Sequence, residues 1–185
     1  VQAGGKLISV CEEQRDACGK IIKLLQEGQT TLRVTHNDTK FNNILIDDDT
    51  HEAVCVIDLD TVMPGISCYD FGDAIRFAGN TAAEDEIDLS RVTISMKNYE
   101  SFTRGFMSAM DGMFTKEENE NMAAAAIIDT LEIGGRFLED YLRGDKYFKI
   151  NYPTQNYNRA ANQVKLALDM IKRYDEMDNI VRKYQ

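Results

Sequence analysis

The stretch VTHNDTKFNNILIDDDTHEAVCVIDLD, residues 34–60, contains His36-x-Asp38-x-x-x-x-Asn43 and, further on, Asp58 and Asp60. Phosphoryl transfer from ATP needs a carboxylate near the acceptor hydroxyl and hard oxygen ligands for Mg2+. An aspartate, a side-chain amide oxygen and a second aspartate supply those groups. The gap of five residues from Asp38 to Asn43 lets one loop aim a base outward while Asn43 turns back toward a metal. A hairpin then returns the chain so that Asp58 can lie beside Asn43. Asp60 has three readings: a second metal ligand, a substrate contact or a turn cap. His36 reads as a residue that fixes the loop by hydrogen bonding rather than as an acid or base. Lys40 reads as a contact to phosphate or acceptor, or as a solvated lysine. Asp47, Asp48 and Asp49 read as surface carboxylates, since no glycine and terminal glutamate fall where a calcium loop requires them.

These residues need elements to hold them. TLRVTH (31–36) is short and β-branched and predicts a strand leading into the loop. ILI (44–46) and AVCVID (53–58), separated by the polar turn DDDTHE, predict a hairpin with Cys55 buried in its second strand. Before them, apolar residues from about Leu7 to Gln26 follow a broadly helical pattern that Gly28 stops. After Pro64-Gly65 the pattern is helical throughout, with candidates at 70–78, about 96–111, 116–143 and 157–184. The third opens on Thr115 and Glu118, a capping box. Gly134-Gly135 interrupts it, which predicts a kink or a close backbone approach. TAAEDEID (81–88) reads as a solvated acidic connector. The fold expected is α+β and mainly helical, one domain over residues 1–185, with function on the loops of its first third.

Composition narrows the classes. A net charge of −10 argues against a nucleic-acid binder, which needs a basic face, and offers no polybasic membrane anchor. The longest apolar run, Met122–Ile128, falls far short of a membrane span of about 20 residues. No secretory leader is visible. The four cysteines lack CxxC spacing, and with only His36 and His51 a zinc cluster is not expected. A reducing cytoplasm fits that usage best.

The loop H-x-D-x-x-x-x-N resembles the catalytic loop shared by protein kinases and the aminoglycoside phosphotransferase/choline kinase family. More narrowly, THNDTKFNNILID, VIDLDTVMPG and YDFGDAIRF are similar to the sugar 1-kinases that act on N-acetylhexosamines. The resemblance implies the C-terminal lobe of a protein kinase-like phosphotransferase, using Mg2+ and ATP. In it Asp38 matches the catalytic base, Asn43 and Asp58 match the Mg2+ ligands, and Lys40 matches a lysine near the transferred phosphate. It also points to Arg136 and Tyr147 for sugar contacts, with Arg76 a weaker candidate that could simply pair with a carboxylate. The acceptor implied is the anomeric hydroxyl of an N-acetylhexosamine; choline, an aminoglycoside or another small alcohol or amine stays open, as does a non-catalytic binding module. No glycine-rich phosphate loop and no strand lysine of the V-A-I-K type occurs. The ATP-covering N-terminal lobe is therefore expected to be absent from this chain, which alone should turn over poorly and could self-associate through the exposed inter-lobe face.

The resemblance also raises a decoy. Asp70-Phe71-Gly72 spells the metal-binding DFG triplet of protein kinases, but Asp70 lies 27 residues after Asn43, whereas Asp58 lies 15 after it. Two strands of about 5 residues and a turn of about 2–5 return the chain at Asp58. The metal is thus assigned to IDLD, and Asp70, at a helix start, to steadying the catalytic loop through backbone amides.

Overall fold

A computed structural model describes residues 2–185. Three helices open the chain: α1 (Gln2–Glu13), α2 (Arg15–Cys18) and α3 (Lys20–Gln26). They divide the single helical pattern of residues 7–26 at Gln14 and Gly19, where the polar EEQRD run and a glycine weaken helix propagation. Four short strands follow: β1 (Arg33–Thr35), β2 (Ile44–Ile46), β3 (Ala53–Val56) and β4 (Met63–Gly65). They form two antiparallel ribbons, β1 with β4 and β2 with β3. The hairpin of β2 and β3 pairs Ile44 with Val56 and Leu45 with Cys55.

All four residues of β3 are exposed. Cys55 is therefore not the buried strand residue its neighbours predict. A two-stranded ribbon has no second layer to cover it among the described residues.

The helical body comprises α4 (Ser67–Ala78), α5 (Met96–Ala109), α6 (Lys116–Asn119), α7 (Met122–Leu142), α8 (Gln155–Lys172) and α9 (Tyr174–Lys183). The Thr115–Glu118 capping box is present. It starts only the short α6, because the helix breaks again at Glu120–Asn121. The last pattern likewise divides at Arg173 into α8 and α9. The larger of two buried clusters comprises Phe71 and Ile75 of α4, Ala123, Ala126 and Ile128 of α7, Leu166 and Met170 of α8, and Met177 and Val181 of α9; the smaller packs Phe137 and Leu138 of α7 on Ala160 of α8. Small residues set the spacing of α4 and α7. A Cβ on Gly72 would come within 2.8 Å of the Ala125 carbonyl oxygen, so the glycine of the DFG-like triplet is there for helix packing. A Cβ on Gly134 would stand 3.1 Å from that of Gln163, so the first glycine of the pair marks a close approach of α7 to α8, while a Cβ on Gly135 would meet open space. None of the described helices is long and apolar enough to cross a membrane.

Candidate active site

The segment from β1 to β2 lies across the N-terminal turn of α4 and is pinned there at several points. Asp70 accepts the backbone amides of His36 and Asn37, each at 2.8 Å. Thr39 donates its hydroxyl to the Asp70 carbonyl at 2.7 Å and lies 3.2 Å from Oδ2 of Asp73. The Asp38 side chain is thereby carried on a loop whose backbone is fixed on both sides of it.

Within the loop, Asp38 Oδ2 accepts two hydrogen bonds. One comes from Lys40 Nζ at 2.7 Å and the other from Asn43 Nδ2 at 2.8 Å, and the same Asn43 amide also reaches the Asp38 carbonyl at 2.8 Å. Asp38 Oδ1 accepts no hydrogen bond among the described residues. Asn43 is buried, and because its amide nitrogen is turned to Asp38, its amide oxygen points the other way.

The hairpin brings the second aspartate back. Ile57 donates its amide to the Asn43 carbonyl at 2.9 Å, so Asp58 follows directly on a residue bonded to Asn43. His36 Nε2 lies 3.1 Å from the Ile57 carbonyl. A carbonyl only accepts, so the ring proton sits on Nε2, and Nδ1 is buried without a partner. Thr61 donates to the His36 carbonyl at 2.7 Å, and Asn37 Nδ2 donates to the Thr61 carbonyl at 2.9 Å. These bonds lace the loop of Asp38 to the loop of Asp58. Asp60 occupies a single 3-10 turn, Leu59–Thr61, and like Asp58 is exposed.

The donor set fits a hard divalent cation. Asn43 and Asp58, with Asp60 close by in sequence, offer amide and carboxylate oxygens and no sulfur or imidazole. Mg2+ typically takes one or two carboxylates and fills its other positions with water and phosphate oxygens. No cluster of three His, Cys, Asp or Glu side chains that could hold a metal is present among the described residues.

Asp38 and Lys40 open onto a cleft of about 1010 Å3 that is also lined by Arg136 and Tyr147. The two candidate sugar contacts, distant in sequence from the loop, thus share a cavity with it. The Arg136 guanidinium stands 5.8 Å from the centre of the Tyr147 ring and 5.6 Å from that of Phe148. Arg76 lines the cleft as well, but it is buried and committed to carboxylates: Asp73 at 2.8 Å, Glu84 at 2.7 Å and Asp129 at 3.8 Å.

Several cleft residues escaped the sequence reading. Glu84 belongs to the acidic connector, yet it bonds Arg76 and lies 3.5 Å from Arg159, while Asp85 accepts from Gln155 at 2.8 Å. The connector therefore straps α4 to α8. Asp73 could have been found from its i,i+3 spacing to Arg76 on a helix. Asp129 and Glu132 interrupt the otherwise largely apolar run AAIIDTLEI. Burial, reinforced by Asp73, pushes the Asp129 carboxyl well above the ordinary carboxylate range. Its Oδ2 has no hydrogen-bond partner.

Residues 5–95 match the family described as APH, phosphotransferase enzyme family. Among solved structures, an ethanolamine kinase from Plasmodium vivax is similar at 15% identity with a TM-score of 0.51, over 82% of this chain and 39% of that one. At that identity the likeness is one of fold, and this chain spans about two fifths of that enzyme's length. The first half of the chain is thus similar in sequence to a phosphotransferase family, and most of the chain is similar in fold to a small-molecule kinase.

Proposed function

We propose that this chain is the C-terminal lobe of an ATP- and Mg2+-dependent small-molecule kinase that phosphorylates the anomeric hydroxyl of an N-acetylhexosamine. One observation carries the reading. Asp38, with Oδ1 unengaged, shares a cleft with Arg136 and Tyr147 and sits on a loop bonded to the one bearing Asp58.

In this reading Asp38 Oδ1 accepts, or at least orients, the proton of the attacking hydroxyl. Lys40 and Asn43 hold the other carboxylate oxygen in place. The anomeric hydroxyl suits such a weak base, because the neighbouring ring oxygen makes it more acidic than an ordinary alcohol. Asn43 and Asp58 would hold Mg2+, with Asp60 available as a further oxygen ligand. When bound, the ion supplies charge neutralisation for the phosphate oxygens. Positioning and electrostatics then provide most of the rate. Arg136 and Tyr147 would bind the sugar, the tyrosine offering both a stacking face and a hydroxyl.

A second acceptor class, a small alcohol carrying an amine, is favoured by Asp129 and Glu132 in the same cleft. Burial holds their carboxyls above the ordinary range, and an ammonium placed beside them would draw them back down. The fold likeness to an ethanolamine kinase is compatible with it. The full-length protein, incubated with ATP, Mg2+ and a panel of sugars and amines, decides between them. Sugar 1-phosphate is expected. Phosphate on ethanolamine, choline or an aminoglycoside with none on N-acetylhexosamines selects the second class. Acceptor binding without any transfer leaves a non-catalytic binding module.

A further inference from the structure

Asp140 is another carboxylate wrapped by backbone amides, in the turn that carries Tyr147 and Phe148 of the cleft lining. Asp140 is buried near the C-terminus of α7, where the helix dipole disfavours a negative charge. It forms no ion pair among the described residues. Its Oδ1 accepts the amides of Lys146 and Tyr147, and its Oδ2 accepts the amide of Phe148, each at 2.9 Å. Asn156 of α8 adds a fourth donor at 3.0 Å and bonds Asp145 at 2.9 Å. Burial alone would raise this carboxyl; the three amides more than offset it and hold it below the ordinary range.

The charge therefore has one visible use, to close the turn after α7. That turn passes through the left-handed region at Gly144, φ 87, and Asp145, φ 54. It delivers Tyr147 and Phe148 back over their own helix. Phe148 lands 4.6 Å from the Phe137 ring, and Tyr147 meets Phe148 edge to face at 4.8 Å. Tyr147 is nevertheless 74% exposed, so little besides its backbone holds it in the cleft. An exposed tyrosine on an untethered loop would lose side-chain and loop entropy on binding a ligand; a fixed backbone removes the loop's share.

We infer that Asp140 is the positioning residue of the acceptor wall, fixing the 144–148 loop so that Tyr147 and Phe148 stand beside Arg136 in the cleft. The inference rests on the proposed function for what the wall binds. The loop geometry stands apart from it.

The test is Asp140→Asn, which keeps the volume but turns an N–H toward the donors of Phe148 and Asn156. Hydrogen exchange on this chain is expected to speed up about tenfold or more at Lys146, Tyr147 and Phe148, with the core of α7 and α8 unchanged. In the full-length kinase, the acceptor KM is expected to rise about tenfold, with ATP KM and kcat at saturating acceptor held. Unchanged exchange at the loop overturns the positioning role. Faster exchange with an unchanged acceptor KM overturns its link to the acceptor, as does a fall in kcat alone. If the asparagine variant does not fold, Asp140→Glu keeps the charge, moves the oxygens by one methylene and is read by the same two measurements. An unsubstituted full-length protein that phosphorylates no acceptor overturns the proposed function and this acceptor role together, whereas failure of the variants alone overturns only this inference.

Discussion

Asp70 takes the backbone amides of His36 and Asn37 on separate oxygens, Oδ2 and Oδ1, at 2.8 Å each. Only a carboxylate satisfies two donors in that way without rearrangement, because an amide offers one accepting oxygen. The aspartate of the DFG-like triplet thus faces the neighbouring loop, and its own helix start gains only the favourable dipole.

Asp70→Asn sets an N–H against one of those amides and is expected to lower unfolding stability by about 1–3 kcal/mol. Asp58→Asn is expected to weaken Mg2+ binding while changing stability by no more than about 0.5 kcal/mol, as befits an exposed side chain. Urea unfolding and titration calorimetry on both variants check the pair. The reverse pattern would mean that the two aspartates have exchanged roles.

Asp38→Asn in the full-length protein is expected to lower kcat by about 10²–10⁴-fold and to leave the fold intact. Lys40→Ala removes a half-exposed ion pair and should cost less than about 1 kcal/mol of stability. A steady-state assay beside a thermal melt reads both. Unchanged turnover in Asp38→Asn would remove that residue from the chemistry.

Alkaline pH should unfold the chain through Cys68. Burial first, and the nearby Glu118 carboxylate second, push this thiol up from 9.0 to about 12. Between those values the unfolded chain has lost a proton that the folded chain keeps, so stability falls as pH rises. Each pH unit above the unfolded value removes about 1.4 kcal/mol. Tyr69, raised to about 12 by burial and then by Asp129, acts in the same sense from pH 10 upward. Denaturant melts from pH 8 to 11 should show the loss, and Cys68→Ala should flatten it. Thiol labelling of the native chain should reach the exposed Cys55 first and Cys68 last.

The two ribbons present open edges and apolar side chains, among them Val34 at 82% and Val54 at 67% exposure. Such edges pair readily with other chains. Isolated, this chain is expected to self-associate, with sedimentation rising with concentration, and Val34→Lys with Val54→Lys should return it to a monomer. A wild-type chain that sediments as a monomer at all concentrations would count against the exposed face as an interface.

The parts of the site that read directly from sequence are those set by local spacing. The loop from His36 to Asn43, the hairpin that returns Asp58 and the capping box at Thr115 each depend on residues close in the chain. Parts set by packing did not read. Met63–Gly65 looks like a turn because it contains Pro64-Gly65, yet it pairs with Arg33–Thr35 as an edge strand, where a proline is tolerated. Glu84 looks solvated until α4 and α8 supply Arg76 and Arg159. Asp140 looks like one more helix-surface carboxylate, because nothing in the sequence shows the chain curling back over it.

Asn37 and Asp58, on either side of the laced loops, both have φ of 62. Asparagine and aspartate tolerate that left-handed conformation better than most residues, but a glycine adopts it without steric penalty. At Asn37 the side chain offsets this by bonding the Thr61 carbonyl, but Asp58 has no such bond among the described residues, and selection for robustness alone would favour glycine there. Keeping an aspartate at position 58 means that the molecule holds conformational strain where its chemistry is proposed to occur, and that a search for heat-resistant variants would tend to erode this site first.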